Sequence, residues 1–306
     1  MFSSTLIPVI VMILLGFILK HKKIVSDAFW KDADRAVYYI FLPALLFSNI
    51  SSMSLAKVSL AKLLAIILIL LFGASFILLV LQRIQPINAA TFTSVYQGAT
   101  RFNSFIALSM VSTAWVSPLA LEVAALVVSI KVILLNILCV SVFSSYTAPH
   151  QSWTKKLGLI FKNPLISACV LGLLVNSLSI PVPVWLLSSA DILGKASLTL
   201  GVLSVGAGLI INFQGWVSYP TILATTLKLL VLPVAAYYLG LWFELDLVSH
   251  QVLVLLFAMP TAISSYILAG QLGGDQPIMA KIITIETVLS GITMLPILAW
   301  MAASNS

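Results

Sequence analysis

An all-α integral membrane protein is the class this sequence predicts, with ten transmembrane helices folded as two inverted five-helix repeats. Three observations carry the prediction. Hydrophobic residues fill 61% of the 306 positions and charged residues only 8%, against about a quarter charged in soluble domains. The apolar residues gather into ten runs, and a spanning helix needs ~20 of them. The basic residues between the runs alternate in density, so the second five runs enter the membrane from the side opposite the first five.

The chain opens "MFSSTLIPVIVMILLGFILKHKK". Its positive charges follow the apolar part and no small-residue cleavage site is present, so a first span at 4–20 is expected and not a removable signal peptide. Spans two to five are expected at 35–51, 60–82, 88–112 and 117–145. "SSYTAPHQSWTKKLGLIFKN" is the one polar stretch near the middle. It reads as a cytoplasmic linker over 146–162, dividing a first repeat (1–145) from a second (163–306). Spans six to ten follow at 163–180, 187–212, 219–243, 250–272 and 277–302.

Loops after spans one, three and five carry Lys20, Lys22, Lys23, Lys31, Arg35, Arg83, Lys155, Lys156 and Lys162, and the alternate loops only Lys57 and Lys62. Basic loops stay in the cytoplasm, which places both termini outside a plasma (inner) membrane. Internal similarity is weak but points the same way. Span five begins with Pro118 and has Glu122 four places on; span ten begins with Pro277 and has Lys281 four places on. "RFNSFIAL" in span four stands where span nine has "MPTAISSYIL". Inverted five-span repeats recur in secondary transporters.

The net charge of +7 belongs to loops facing a membrane surface and suggests no nucleic-acid partner. Cys139 and Cys169 lie in apolar runs without His or Cys companions and read as packing residues. His21, His150 and His250 fall in loops or at span ends with no metal-ligand spacing, and no cofactor is expected. No Walker A loop, "HExxH" or "GxSxG" occurs, so neither ATP-driven transport nor enzyme chemistry is indicated. Rings of like charge or a repeated carbonyl filter, which a pore would want, are missing too. Mid-span aspartate pairs, as in sodium/proton antiporters, are absent from the sequence.

The charges that do enter the spans are the candidates for function. Arg101 lies 13 residues into span four, ~20 Å along a helix, beyond snorkelling reach of the near interface. An arginine at a helix centre costs ~2.5–3.5 kcal/mol on insertion scales, so something must compensate it. One reading is a carboxylate ligand, which the planar guanidinium fork suits, with Asn103 and Ser104 beside it. The other is structural: Arg101 ties off broken-helix carbonyls or pairs with Glu286. In span nine, Pro260 removes a donor and clashes with the carbonyl four residues back, so the helix should break at about Met259. Thr261, Ser264 and Ser265 follow and could line a site or simply join helices.

Lys131 in span five and Glu286 in span ten start from opposite faces. Counting from Pro118 and Pro277 puts them ~20 Å and ~13 Å deep, nearly level in a ~30 Å core. A Lys131–Glu286 pair is therefore allowed, either static or with Glu286 exchanging a coupling proton. Lys228 could snorkel or stay inside. Asp191 and Lys195 form a favourable i,i+4 pair, and Glu122 and Lys281 sit near helix starts, within reach of an interface.

Four blocks together resemble the auxin efflux carrier family, which includes bacterial permeases and the plant PIN carriers. They are "PVIVMILLGFILKHKKIVSD" with "VYYIFLPALLFSNI"; "RFNSF"; "KNPLISACVLGLLVN" with "IPVPVWLLSSADILGKASLTLGVLSVGAGL"; and "KLLVLPVAAY", "AMPTAISSYILAG" and "TVLSGITMLPIL". The resemblance implies that spans four and nine are broken and cross, and that Lys228 is a position commonly filled by lysine. The chain departs at Phe102, where PIN-type carriers have proline, at Thr199, also commonly proline, and at Glu286, where small polar residues are usual. The long cytoplasmic loop of many PIN carriers is absent.

The resemblance implies a secondary active permease for small organic anions, mono- or dicarboxylates, working by alternating access around a midplane site. Arg101, Asn103, Ser104, Pro260, Thr261 and Ser264 are the expected substrate residues, and Glu286, Lys131 and Lys228 the coupling or buried charges. Protons, the lipid bilayer and a homodimer are the further partners this reading allows. The alternatives are a sodium-coupled carrier like the bile-acid symporters and a non-transporting membrane sensor.

Overall fold

The computed structural model describes residues 2–52, 60–114, 118–147, 164–209, 217–262 and 264–304. Among these residues the structure is helical throughout, without a strand. Five helices are long and apolar enough to cross a membrane: Leu60–Ile84, Leu119–Tyr146, Val184–Ala207, Tyr219–Trp242 and Gln276–Ser304. Most of the linker, including Lys155, Lys156 and Lys162, lies outside the described residues, as do Lys57 and His150.

The chain divides into two compact units that each draw on both sequence halves. The first comprises Met1–Ser59, Phe105–Ile133 and Gly158–Gly208; the second, Leu60–Ser104, Leu134–Leu157 and Leu209–Ser306.

In the first unit, α1 (Phe2–His21) is followed by α2 (Asp27–Ala36), a π-helical turn (Val37–Phe41) and α3 (Leu42–Ser52). Helix α2 begins upstream of the expected second span, because Ser26 caps it by accepting from the Phe29 amide at 3.2 Å. It buries Trp30 and Ala33 and exposes most of its charges, so it is an amphipathic entry to an apolar helix. The π turn lies just ahead of Pro43. Its wider ring includes the carbonyl of Tyr39, four residues before Pro43, with which the proline ring would clash.

Then come α6 (Ser104–Ala114), the first part of α7 (Pro118–Tyr146), α8 (Pro164–Ser177) and α9 (Val184–Ala207). Helices α1 and α9 approach backbone to backbone. A Cβ added at Gly206 would strike the Ile13 carbonyl, and one at Gly16 the Leu203 carbonyl. Close approach through small residues is how membrane helices gain dispersion contact.

The second unit holds α4 (Leu60–Ile84), α5 (Ala89–Thr100), the C-terminal part of α7, α10 (Tyr219–Thr226), a second π turn (Leu227–Val231), α11 (Leu232–Trp242), α12 (Leu247–Ala258), α13 (Ser264–Leu272) and α14 (Gln276–Ser304). Two short helices form its centre. Every residue of α5 from Thr91 to Thr100 and of α12 from Ser249 to Ala258 is buried. Gly98 lets α5 in, since a Cβ there would lie 2.7 Å from Ile282 of α14 and 3.3 Å from Ala224 of α10.

Within each unit, helix ends are tied in pairs. Lys62 Nζ donates to the Glu244 carbonyl at 3.1 Å, Thr91 Oγ1 to Asp275 Oδ2 at 2.8 Å, and Thr147 Oγ1 to the Leu272 carbonyl at 2.7 Å. In the first unit Asn176 Nδ2 donates to the Ser51 carbonyl at 3.1 Å.

Candidate functional site

Two helix breaks meet inside the second unit. The expected fourth span is two helices, with α5 ending at Thr100 and α6 starting at Ser104. The expected ninth is likewise split, with α12 ending at Ala258 and α13 starting at Ser264. Met259 is extended (φ −64°, ψ 140°), where the Pro260 argument placed the break. The first break has no proline of its own. Arg101 is extended (φ −69°, ψ 162°), and the Asn103 amide donates to the Pro260 carbonyl at 2.7 Å. A donor that would otherwise bond within its helix is thus taken by the neighbouring break, which keeps a buried amide satisfied in non-helical backbone.

Arg101 is half-buried beside these breaks. Its NH1 donates to Asn136 Oδ1 of α7 at 3.2 Å, and the Cys139 thiol lies alongside the guanidinium and Thr100. The partner is a neutral amide; the Arg101–Glu286 pairing considered from the sequence is not formed, and among the described residues the rest of the donor fork is left for another acceptor. Asn103 is buried and Ser104 opens α6.

Across the second break, the Thr261 amide donates to Glu286 Oε2 at 2.9 Å, and Thr261 Oγ1 to the Gln97 carbonyl at 3.4 Å. Ser265 Oγ lies 3.5 Å from Thr261 Oγ1, and its carbonyl accepts from Gln97 Nε2 at 3.5 Å. Ser264, the first residue of α13, is half-buried. Arg101, Asn103, Ser104, Pro260, Thr261 and Ser264 therefore all fall in one unit, at or next to its two breaks.

Of the buried charges, Lys228 and Glu286 are brought together. Both are fully buried, Lys228 in the second π turn and Glu286 in α14, and each is the charge acting on the other. Lys228 therefore does not snorkel. Lys131, also fully buried, belongs to the first unit. The Asp191–Lys195 pair forms at 2.7 Å on an exposed face.

Sequence reasoning missed Asn136 and Gln97. An isolated amide in an apolar run was the available signal, because such a group has to find a partner inside the protein. His250 is structural: its Nε2 lies 2.9 Å from the Tyr237 carbonyl and its ring packs on Tyr237 and Trp300. Among the described residues no cluster of His, Cys, Asp and Glu could hold a metal ion.

Residues 147–298 match the family model described as membrane transport protein. No curated protein matches the chain. That match covers the second break, Lys228 and Glu286, and its family is one of transporters, not enzymes. Joined to the apolar helices and the paired breaks, it identifies the chain as a membrane transport protein of the auxin efflux carrier family.

Proposed function

We propose that this protein is a secondary active carrier of small organic anions, mono- or dicarboxylates, working by alternating access around the two breaks. The observation that carries the reading is Arg101, a guanidinium placed at a helix break whose partners among the described residues are a neutral amide and a thiol. An arginine in a span requires compensation, and a carboxylate ligand would supply it bidentately. The starts of α6 at Ser104 and α13 at Ser264 add positive helix ends that suit an anion. Asn103, Thr261 and the Pro260 segment complete the substrate surface, and Glu286 is the group linked to a coupling proton.

The carrier is a ten-span protein of two inverted repeats in the plasma (inner) membrane, with both termini outside. The tied helix ends support this topology. In it, Lys62 and Glu244 share the outer side, as do Ser51 and Asn176, while Thr91 and Asp275, and Thr147 and Leu272, share the cytoplasmic side.

Charge movement in proteoliposomes on a solid-supported membrane, after jumps of a panel of carboxylates at two pH values without sodium, tests the function. Saturable, selective currents are expected from the wild type. Arg101→Ala should weaken apparent affinity roughly tenfold to a hundredfold, the worth of one or two charge-assisted hydrogen bonds. Wild-type current and affinity in a folded Arg101→Ala protein would refute the anion site. Currents that require sodium would move the reading to a sodium-coupled symporter. If Glu286 exchanges the coupling proton, Glu286→Gln should abolish the pH response while substrate binding persists.

A further inference from the structure

Lys228 and Glu286 stand on elements packed against each other, the π turn and α14, but form no direct ion pair. Both are 0% exposed, yet among the described residues neither Lys228 Nζ nor Glu286 Oε1 has a hydrogen-bond partner, the other carboxylate oxygen being held by the Thr261 amide. Leaving one donor and one acceptor of opposite charge unsatisfied in the interior is strongly unfavourable, whereas buried polar atoms in native proteins are almost always bonded, to protein or to ordered water.

The donor set selects what fits between them. A metal cation would suit the carboxylate but would face the ammonium of Lys228. A halide would suit the ammonium but would face the carboxylate. Water alone accepts from the first and donates to the second, and two to four polar partners are what a buried water requires.

We infer that the second unit contains a built-in water site between Lys228 and Glu286, the water accepting from Nζ and donating to Oε1. It joins the π turn of Leu227–Val231 to the Pro260–Thr261 break through an uncharged, exchangeable bridge. The two elements are thereby linked without being clamped by a direct ion pair. Glu286 is also given a proton-conducting neighbour, an implication that rests on the carrier reading, whereas the site itself does not.

Electron cryomicroscopy of the full chain in lipid nanodiscs, at a resolution where ordered water is visible, is the test. In the wild type, density is expected within hydrogen-bond reach of both Nζ and Oε1. In Lys228→Arg it should vanish, because the longer guanidinium reaches the carboxylate directly. In Lys228→Met/Glu286→Met, which keeps side-chain volume and removes both partners, it should vanish as well. Direct contact of Nζ with Oε1, a gap without density, a density ringed by oxygens at metal distances, or density that survives in the double variant would each overturn the inference. None of these outcomes depends on transport, so failure of the water site and failure of the anion reading are separately visible.

Discussion

Single side chains set the strongest expectations. Lys228 and Glu286 are buried together, and removing one charge strands the other. Glu286→Met or Lys228→Met alone should therefore cost ~3–5 kcal/mol of stability. The double variant should lie within ~1 kcal/mol of the wild type or above it, since apolar replacement of a buried pair is often neutral. Denaturant titration in a mild detergent reads the three values, and a loss in the double variant equal to the sum of the two single losses would show that the charges do not interact. The sequence placed Glu286 correctly among the buried groups but offered Lys131 as its companion. Depth counted along a helix fixes a height and leaves the direction around the axis open, so two residues at one level can belong to different units. Lys228 was legible as an intramembrane charge; its partner was not, because that depends on which face of α14 meets the π turn.

At the scale of elements, the ends of helices are as telling as their lengths. Helices α1, α8 and α11 close with non-glycine residues in the left-handed region, Lys23 (φ 54°), Ser179 (φ 52°) and Glu244 (φ 50°). Each is followed by a capping bond that reaches back five residues, as from the Ile180 amide to the Val175 carbonyl at 3.0 Å. This is a glycine geometry made without glycine. Ser179→Gly should raise stability by up to ~1 kcal/mol, read as a higher melting temperature; a fall would show that the Ser179 side chain contributes more than its backbone strain costs. The second break was readable from Pro260 by itself. The first was not readable from its own residues, because "GATRFNS" contains no proline, its Gly98 lies inside α5, and the Asn103 amide turns to a carbonyl supplied by the other break. A resemblance could anticipate it; local chemistry could not.

For the molecule as a whole, the apolar runs found the long helices Leu60–Ile84 and Gln276–Ser304 to within a few residues, because membrane length is a constraint that periodicity does not blur. The grouping into units was hidden, since each unit interleaves segments of both halves. Orientation rests on the basic loops, and it is testable with little background, as Cys139 and Cys169 are both buried. Glu244→Cys should react with a membrane-impermeant maleimide in intact cells, and Arg83→Cys only after permeabilisation, both positions being exposed. The reverse pattern would invert the topology.

The π turn of Leu227–Val231 also bears on how such a chain tolerates length changes. One residue more than an α-turn is stored there, with the Leu232 amide reaching back to the Leu227 carbonyl. Removal of Leu230 would let the turn tighten into ordinary α-helix. Everything downstream would then keep its direction, because the turn gives up only its extra residue, and Leu232, Pro233, Ala236 and Gly240 would stay on the face they bury. A single-codon deletion at this point should therefore be better tolerated than one in the flanking α-helix of Leu232–Trp242, where everything downstream would rotate by ~100°.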